Sequence, residues 1–185
     1  MDSFQQRKKD VLKKLDKSSK GSWDERILGL CEKINSFNNY YTTSSCSGRI
    51  LILKDDVKKG PGLYKFVSHD LVKFDEFWEF ILKKKSKLNL KFKQEPFILH
   101  IACKDLESAK ILLEKSLRVG IKRSGIISLG KNIIVELNST KKLEFPLIKD
   151  GTLLVRRDFL KIVLDEANDN FKKEWFKIKE LEGFL

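Results

Sequence analysis

Residues suited to chemistry concentrate between Ser44 and Arg49, where the chain has the sequence Ser-Ser-Cys-Ser-Gly-Arg. Hydroxyls and a glycine in such a run can expose backbone N–H groups, which bind carboxylates and phosphates. Arg49 adds a guanidinium that can hold either anion through two hydrogen bonds. The segment therefore predicts an anion-binding loop. The alternative is a serine-rich turn whose hydroxyls bond to their own backbone.

Cys46 lies in the same segment, beside the cation of Arg49. A neighbouring cation favours the nucleophilic thiolate form of a cysteine. A cysteine nucleophile also needs a histidine within reach, and nothing in the spacing of the two histidines supplies one. We therefore interpret Cys46 as a bystander, which leaves a thiol- or serine-dependent hydrolase as the weakest of the functional classes considered.

The two histidines, His69 and His100, each end or interrupt a predicted strand. His69 is followed by Asp70, and such a pair can accept a proton near neutral pH. His100 interrupts an apolar strand, where a buried ring with satisfied nitrogens is the favoured interpretation. Neither H-x-E nor H-x-x-x-H spacing occurs, so no metal site is predicted.

Charge limits the classes of partner. The chain has 185 residues with 38 Lys and Arg against 26 Asp and Glu, a net charge of +12. A field of this strength favours polyanions such as nucleic acid, although the same surface can serve solubility alone. A lysine-rich stretch can present a stripe to RNA phosphates or protect an edge strand from aggregation. Its members are Lys83, Lys84, Lys85, Lys87, Lys91 and Lys93.

Cysteine usage and hydropathy bear on the compartment. The three cysteines are odd in number and lack C-x-x-C spacing, so they are expected to be reduced thiols in a cytoplasmic protein. The first 20 residues are largely charged and contain no apolar segment typical of a signal peptide. No apolar run approaches the roughly 20 residues that a membrane-spanning helix needs, so no membrane association is predicted.

Hydrophobic periodicity predicts alternating helices and strands. Ser22 and Glu25 have the spacing of a capping box, with Ser22 as the N-cap of the second helix. Gly120 suits the left-handed position after a helix. The predicted helices are 4–15, a second one that ends near 35–39, 74–81, 106–117 and 157–182. The predicted strands are 40–43, 50–53, 63–68, 88–92 and 97–103, followed by hairpins at 126–137 and 143–155, with a loop at 44–48.

These elements predict one domain, 1–185, of mixed α/β (α+β) class, with a mixed sheet and flanking helices. No G-x-G-x-x-G or Walker loop is present, so the fold is predicted to lie outside the Rossmann class. The Ser-Gly at 47–48 has an echo at 124–125, each after a helix and before a strand. This echo suggests two related β-rich halves, 23–92 and 97–155, around one cleft, with chance as the alternative.

Taken together, these segments resemble the wyosine- and wybutosine-synthesising methyltransferases of tRNA, the 4-demethylwyosine N4-methyltransferase family. The resemblance covers roughly the first two thirds of the chain. Its motifs are Phe4–Lys8, Ile34–Ser36, Tyr40–Arg49, Val67–Asp70, Glu95–His100 and Ile121–Gly125. Family members often carry a tryptophan shortly before the Ser-His pair, where this chain has Gly62-Leu63-Tyr64, and Tyr64 can substitute for its base-stacking role.

The resemblance implies methyl transfer from S-adenosylmethionine to a ring nitrogen of a tricyclic guanosine derivative 3′ of the anticodon of tRNA-Phe. On this basis His69 is the predicted proton acceptor, assisted by Asp70. The predicted cofactor-binding residues are Ser45, Ser47, Gly48, Arg49, Glu95, His100, Arg123 and Ser124. A non-catalytic RNA-binding module is the alternative function, because it accounts equally well for the charge and the aromatic residues.

Overall fold

A computed structural model describes residues 3–13, 24–55, 60–83 and 88–185. Its helices are α1 (Ser3–Leu12), α2 (Glu25–Ser36), α3 (Phe74–Lys83), α4 (Leu106–Arg118) and α5 (Arg157–Phe184). Its strands are β1 (Tyr40–Cys46), β2 (Arg49–Lys54), β3 (Tyr64–Ser68), β4 (Leu90–Glu95), β5 (Ile98–Cys103), β6 (Gly125–Leu129), β7 (Ile133–Asn138), β8 (Leu143–Lys149) and β9 (Thr152–Leu153).

The strands form two antiparallel sheets. One has the order β1-β5-β7-β6 and the other the order β3-β2-β4-β8-β9. Every observed strand pair is antiparallel, which allows one face of each sheet to be apolar and the other polar. The predicted mixed α/β class outside the Rossmann fold is confirmed, and its strands lie in two sheets.

The chain divides into two compact units, each made of separate segments. Unit 1 contains Met1–Ser47, Phe97–Thr140 and Glu174–Leu185, and unit 2 contains Gly48–Pro96 and Lys141–Lys173. The four-stranded sheet belongs to unit 1 and the five-stranded sheet to unit 2. The predicted halves 23–92 and 97–155 concern an ancestral duplication, which these boundaries do not test.

The core of unit 1 lies between one face of its sheet and helices α2, α4 and the end of α5. Alternate residues of β5 (Leu99, Ile101, Cys103) face this core, as their strand period of two requires. Helix α1 covers part of the opposite face, where the rings of Phe4 and Tyr41 lie 5.1 Å apart. The same face also carries the polar side chains of His100 and Glu136, which pair across β5 and β7.

The core of unit 2 is built largely from phenylalanine. Ring contacts link β3, α3, β4, β8 and α5 in a continuous series of centroid distances between 5.0 and 6.0 Å. The rings involved are Phe66, Phe77, Phe92, Phe145 and Phe159. Edge-to-face and stacked ring pairs of this kind add to the stabilisation from apolar burial. This core positions β2 and β4, whose other face holds the polar residues described below.

Most predicted elements are confirmed, including both hairpins, and the structure corrects two details. The N-cap of α2 is Asp24, whose side chain accepts from the N–H of Arg26; the predicted cap, Ser22, lies outside the described residues. The predicted loop at 44–48 is shorter, because β1 continues to Cys46 through pairing with β5. Gly120 has the expected left-handed backbone, with φ of 79°.

Among the described residues, no helix combines the length and the apolar composition needed to cross a bilayer.

Candidate active site

Ser47 and Gly48 join β1 to β2. Gly48 has φ of 107°, a backbone conformation that residues other than glycine rarely adopt. Ser47 is fully buried, and its backbone N–H donates to Oδ2 of Asp24 at 2.9 Å. The Ser47 hydroxyl is buried and has no hydrogen-bond partner among the described residues. A buried, unsatisfied hydroxyl is costly, so it marks this step as a candidate ligand contact.

The side chain of Ser45 lies on the core side of β1. It lies in β1 opposite Leu99, whose side chain faces the core of unit 1. Its side chain hydrogen-bonds the thiol of Cys31 on α2. The structure therefore places Ser45 on the helix-covered side of its sheet, and its predicted role in cofactor binding stays a prediction.

Arg49 and Glu95, which come from separate motifs, meet in unit 2. They are cross-strand partners in β2 and β4, and Arg49 Nε donates to Glu95 Oε2 at 2.6 Å. Lys93 Nζ contacts the other oxygen of Glu95 at 2.8 Å. Burial alone raises the pKa of Glu95, but the hydrogen bonds from Lys93 and Arg49 outweigh it and hold the pKa below its usual value. Glu95 is therefore a carboxylate held in place by two cations.

Tyr64 reaches the same surface because of an irregularity in β3. Ile52 pairs with Phe66, but the next residue, Leu53, pairs with Tyr64, so Lys65 is the extra residue of a β-bulge. The bulge places Phe66 in the core and Tyr64 on the outer face. There the guanidinium of Arg49 lies 5.3 Å from the centre of the Tyr64 ring, a cation–π contact.

His100 is paired with an acid that the sequence did not single out. Its Nε2 lies 2.8 Å from Oε2 of Glu136 on the neighbouring strand β7, and both side chains are about a quarter exposed. Asn138 Nδ2 donates to the other oxygen of Glu136 at 3.4 Å. The pair lies on the polar face of the unit 1 sheet. A carboxylate on one nitrogen orients an imidazole so that its other nitrogen can accept a proton.

Arg123 and Ser124 form the turn before β6. The Ser124 hydroxyl donates to the carbonyl of Ile121 at 3.1 Å and accepts from the N–H of Asn138 at 3.4 Å. The Arg123 N–H donates to the carbonyl of Asn138 at 3.1 Å, and its side chain is exposed. The hydroxyl thus shapes the turn, and the predicted contact of both residues with the cofactor stays untested.

His69 and Asp70 follow β3 in unit 2. The Ser68 hydroxyl donates to the Asp70 carbonyl at 2.9 Å and accepts from the Asp70 N–H at 3.1 Å, which fixes the bend. His69 is half-buried and Asp70 is exposed. The histidine therefore lies where a ligand can reach it, and its role as proton acceptor remains a prediction.

Two of the three cysteines are unsuited to nucleophilic chemistry. Burial raises the pKa of Cys31 and of Cys103 to about 12, so both remain protonated thiols at neutral pH. Cys46 is half-buried.

The three members of the lysine-rich stretch that lie among the described residues each contact a carboxylate. Lys91 contacts Asp55 at 2.5 Å, Lys93 contacts Glu95, and Lys83 contacts Glu79 at 3.2 Å. Strand β4 lies in the middle of its sheet, so its lysines do not protect an edge. Lys84, Lys85 and Lys87 lie outside the described residues.

Three carboxylates in these clusters were not predicted from the sequence: Asp24, Glu136 and Glu144. Asp24 lies between Ser22 and Glu25 of the predicted capping box, and its carboxylate accepts from the N–H of Ser47. Glu136 interrupts the apolar run Ile133–Leu137, and this single acid in a buried strand was the available signal. Glu144 lies opposite Lys93 in the register of β8 and β4, which the sequence does not specify.

Comparison with known proteins gives matches over nearly the whole chain. The family model described as Methyltransferase TYW3 matches residues 6–185. A Methanocaldococcus jannaschii protein named tRNA(Phe) 7-((3-amino-3-carboxypropyl)-4-demethylwyosine(37)-N(4))-methyltransferase is 39% identical over 92% of this chain and 90% of its own length. A Danio rerio tRNA wybutosine-synthesizing protein 3 homolog is 38% identical over 100% of this chain and 75% of its own length. A solved Pyrococcus horikoshii structure has a TM-score of 0.88 and 36% identity, covering 97% of this chain and 92% of that one.

The two antiparallel sheets and the polar clusters on them define a mixed α/β protein outside the Rossmann class. The match over 6–185 then decides the family. This chain belongs to the methyltransferase TYW3 family, so it is a methyltransferase and needs a methyl donor. The resemblance seen in the sequence motifs is confirmed.

Proposed function

We propose that this protein transfers a methyl group from S-adenosylmethionine to N4 of a 4-demethylwyosine-type base beside the anticodon of tRNA-Phe. The observation that carries the proposal is the near full-length family match, together with relatives of 36–39% identity that are named for this reaction. The net charge of +12 favours the tRNA partner. All three cysteines are free thiols, in keeping with a reducing compartment such as the cytoplasm.

The residues present fit such a donor. Its binding requires groups for an amino acid head, and Arg49 and Glu95 offer paired charges beside the Tyr64 ring. S-adenosylmethionine supplies the methyl group, whose bond to sulfur breaks as the bond to the acceptor nitrogen forms. The proposed contacts to the donor remain those from the sequence: Ser45, Ser47, Gly48, Arg49, Glu95, His100, Arg123 and Ser124.

The acceptor nitrogen loses a proton in this reaction, and a side chain must take it. His69 is our proposed acceptor, with Asp70 assisting. The contact between His100 and Glu136 favours His100 as a second candidate, because the carboxylate holds one ring nitrogen and leaves the other to face a ligand. Replacing the true acceptor should slow methyl transfer about a hundredfold or more.

Single-turnover rates of His69→Asn and His100→Asn at saturating tRNA and donor separate the two histidines. If a variant keeps the wild-type rate, the histidine that it replaces is not the proton acceptor. Both variants should bind tRNA nearly as well as the wild type, since binding draws on the overall charge.

Mass spectrometry tests the function itself. Undermodified tRNA incubated with the protein and S-adenosylmethionine should gain one methyl group on the tricyclic base. The competing function, a non-catalytic RNA-binding module, predicts no added mass. It also predicts an unchanged melting temperature at saturating donor, whereas a ligand that binds only the folded state must raise that temperature.

A further inference from the structure

The outer face of the five-stranded sheet carries a pocket of about 340 Å³ whose charged side chains have both signs. Four are cations and three are anions: Arg49, Lys54, Lys91 and Lys93, and Asp55, Glu95 and Glu144. Leu51, Leu53 and Leu63 supply apolar surface, and Tyr64 forms an aromatic wall. The volume is at the lower end of the roughly 300–1,000 Å³ typical of small-molecule sites.

The central charges form a connected series. Arg49 contacts Glu95 at 2.6 Å, Glu95 contacts Lys93 at 2.8 Å, and Lys93 lies 3.9 Å from Glu144. These four side chains are only 23–35% exposed, so water screens them less than it would screen ordinary surface charges. Positive and negative groups therefore alternate at fixed positions within one small volume.

Alternating charges select for a particular ligand. A phosphate would meet Arg49 and Lys93 but would be repelled by Glu95, which lies between them. A simple cation would meet Glu95 and Glu144 but would be repelled by Lys93, which lies between them. A ligand with one cationic and one anionic group a few ångströms apart can satisfy both sets of partners.

We propose that this pocket binds an α-amino-acid head group in its zwitterionic form. Arg49 and Lys93 would hold its carboxylate, Glu95 and Glu144 its ammonium, and Tyr64 with the leucines the attached apolar portion. This inference rests on the proposed function, in which the donor bears such a group in its methionine part. The acceptor named for the Methanocaldococcus relative bears one as well, in its 3-amino-3-carboxypropyl tail.

The first experiment examines the donor as the source. Calorimetry measures the affinity of the whole protein for S-adenosylmethionine and for 5′-methylthioadenosine, which lacks the amino acid head. If the donor occupies the pocket, Glu95→Gln and Arg49→Gln weaken S-adenosylmethionine binding about tenfold or more, since each removes a charge-assisted contact. The affinity for 5′-methylthioadenosine stays at the wild-type value.

The second experiment examines the acceptor. Single-turnover rates are compared at saturating donor for two undermodified tRNAs, one with the aminocarboxypropyl tail and one without it. If the tail occupies the pocket, Glu95→Gln reduces the preference for the tail-bearing tRNA about tenfold, while the donor affinity does not change.

Matched variants keep the test decisive. Glu79→Gln removes a carboxylate from an exposed ion pair on α3, outside the pocket, and should leave both measurements unchanged. Glu144→Gln, at the rim, provides the same test should Glu95→Gln fail to fold. Folded pocket variants with wild-type donor affinity and wild-type acceptor preference would overturn the proposal. Failure of the wild-type protein to methylate tRNA would instead overturn the proposed function.

Discussion

Asp24 has two roles in unit 1 that depend on the same carboxylate. One oxygen accepts from the N–H of Arg26 and caps α2 at 3.2 Å, and the other accepts from the N–H of Ser47 at 2.9 Å. The residue thus fixes the start of a helix and the end of β1 together.

Replacing Asp24 should therefore cost more than an ordinary helix cap. We expect Asp24→Ala to lower the free energy of unfolding by about 2 kcal/mol, since it removes both acceptors. Asp24→Asn should lose less, because an amide oxygen can still accept one of the bonds. Urea denaturation of the two variants measures the difference, and equal stability of Asp24→Ala and wild type would contradict this account.

At the residue scale, local motifs in the sequence were informative and long-range pairs were not. The loop predicted at 44–48 contains the join between β1 and β2, because the turn preference of serine and glycine is local. The contact of Arg49 with Glu95 joins residues 46 apart in sequence, and that of His100 with Glu136 joins residues 36 apart. Strand register decides both contacts, and single-sequence periodicity does not specify register.

At the scale of elements, the segment after the His69–Asp70 bend is tied to helix α5. The N–H of Val72 donates to Asn168 Oδ1, and Asn168 Nδ2 donates to the Val72 carbonyl, both at 2.9 Å. Val72 is 8% exposed. One side chain therefore satisfies both backbone groups of a buried residue close to a proposed catalytic histidine.

Asn168→Ala should leave these two backbone groups without their partner and lower the free energy of unfolding by about 1–3 kcal/mol. Asn168→Asp serves as a matched control, since it keeps the acceptor and loses the donor. Its free energy of unfolding should lie between those of the wild type and Asn168→Ala. Denaturation together with hydrogen exchange at Val72 tests this. Unchanged protection of that amide in Asn168→Ala would show that other contacts hold the segment.

Helices and strands were predictable from the sequence where the hydrophobic period was strong. The alternation around Leu90 and Phe92 gave β4 with its inward and outward faces. The end of β1 was not predictable, because Ser44 to Cys46 have a composition typical of turns and are extended only through pairing with β5. Tertiary pairing overrides weak local preference in such segments.

At the scale of the whole molecule, low pH should weaken the ion pairs on the charged face of unit 2, because it protonates their carboxylates. The Lys142 side chain lowers the pKa of Glu144 by hydrogen bonding, and the pKa of Glu95 is also below its usual value. A depressed folded-state pKa contributes stability at pH values above the unfolded-state pKa of about 4.3. This contribution is lost as the pH falls through the lower folded-state pKa.

We therefore expect the free energy of unfolding to decrease as the pH falls from about 5 to 3. Glu95→Gln should show a shallower decrease, because it has no proton to bind, whereas Glu79→Gln should follow the wild type. Denaturant unfolding at several pH values measures the slopes. Identical slopes for Glu95→Gln and wild type would mean that this carboxylate is not stabilised in the folded state.

The division into two units could not be derived from the sequence. Chain segments alternate between the units, and α5 contributes residues to both. Each core is therefore completed by residues distant in sequence, such as Ile178 and Leu181 in unit 1. The fold class could be predicted from the sequence because it depends on the types of elements. The unit boundaries could not, because they depend on which elements contact one another.

The bulge at Lys65 decides which face of β3 each aromatic ring occupies. Side chains alternate along a regular strand, so Tyr64 and Phe66, two residues apart, would share one face if Lys65 were paired in the ladder. The extra residue instead puts these two rings on opposite faces. Deletion of Lys65 would make Tyr64 and Phe66 consecutive residues of a regular strand and would keep Tyr64 facing outward. A strand of the present length without the bulge would instead turn Tyr64 towards the phenylalanine core.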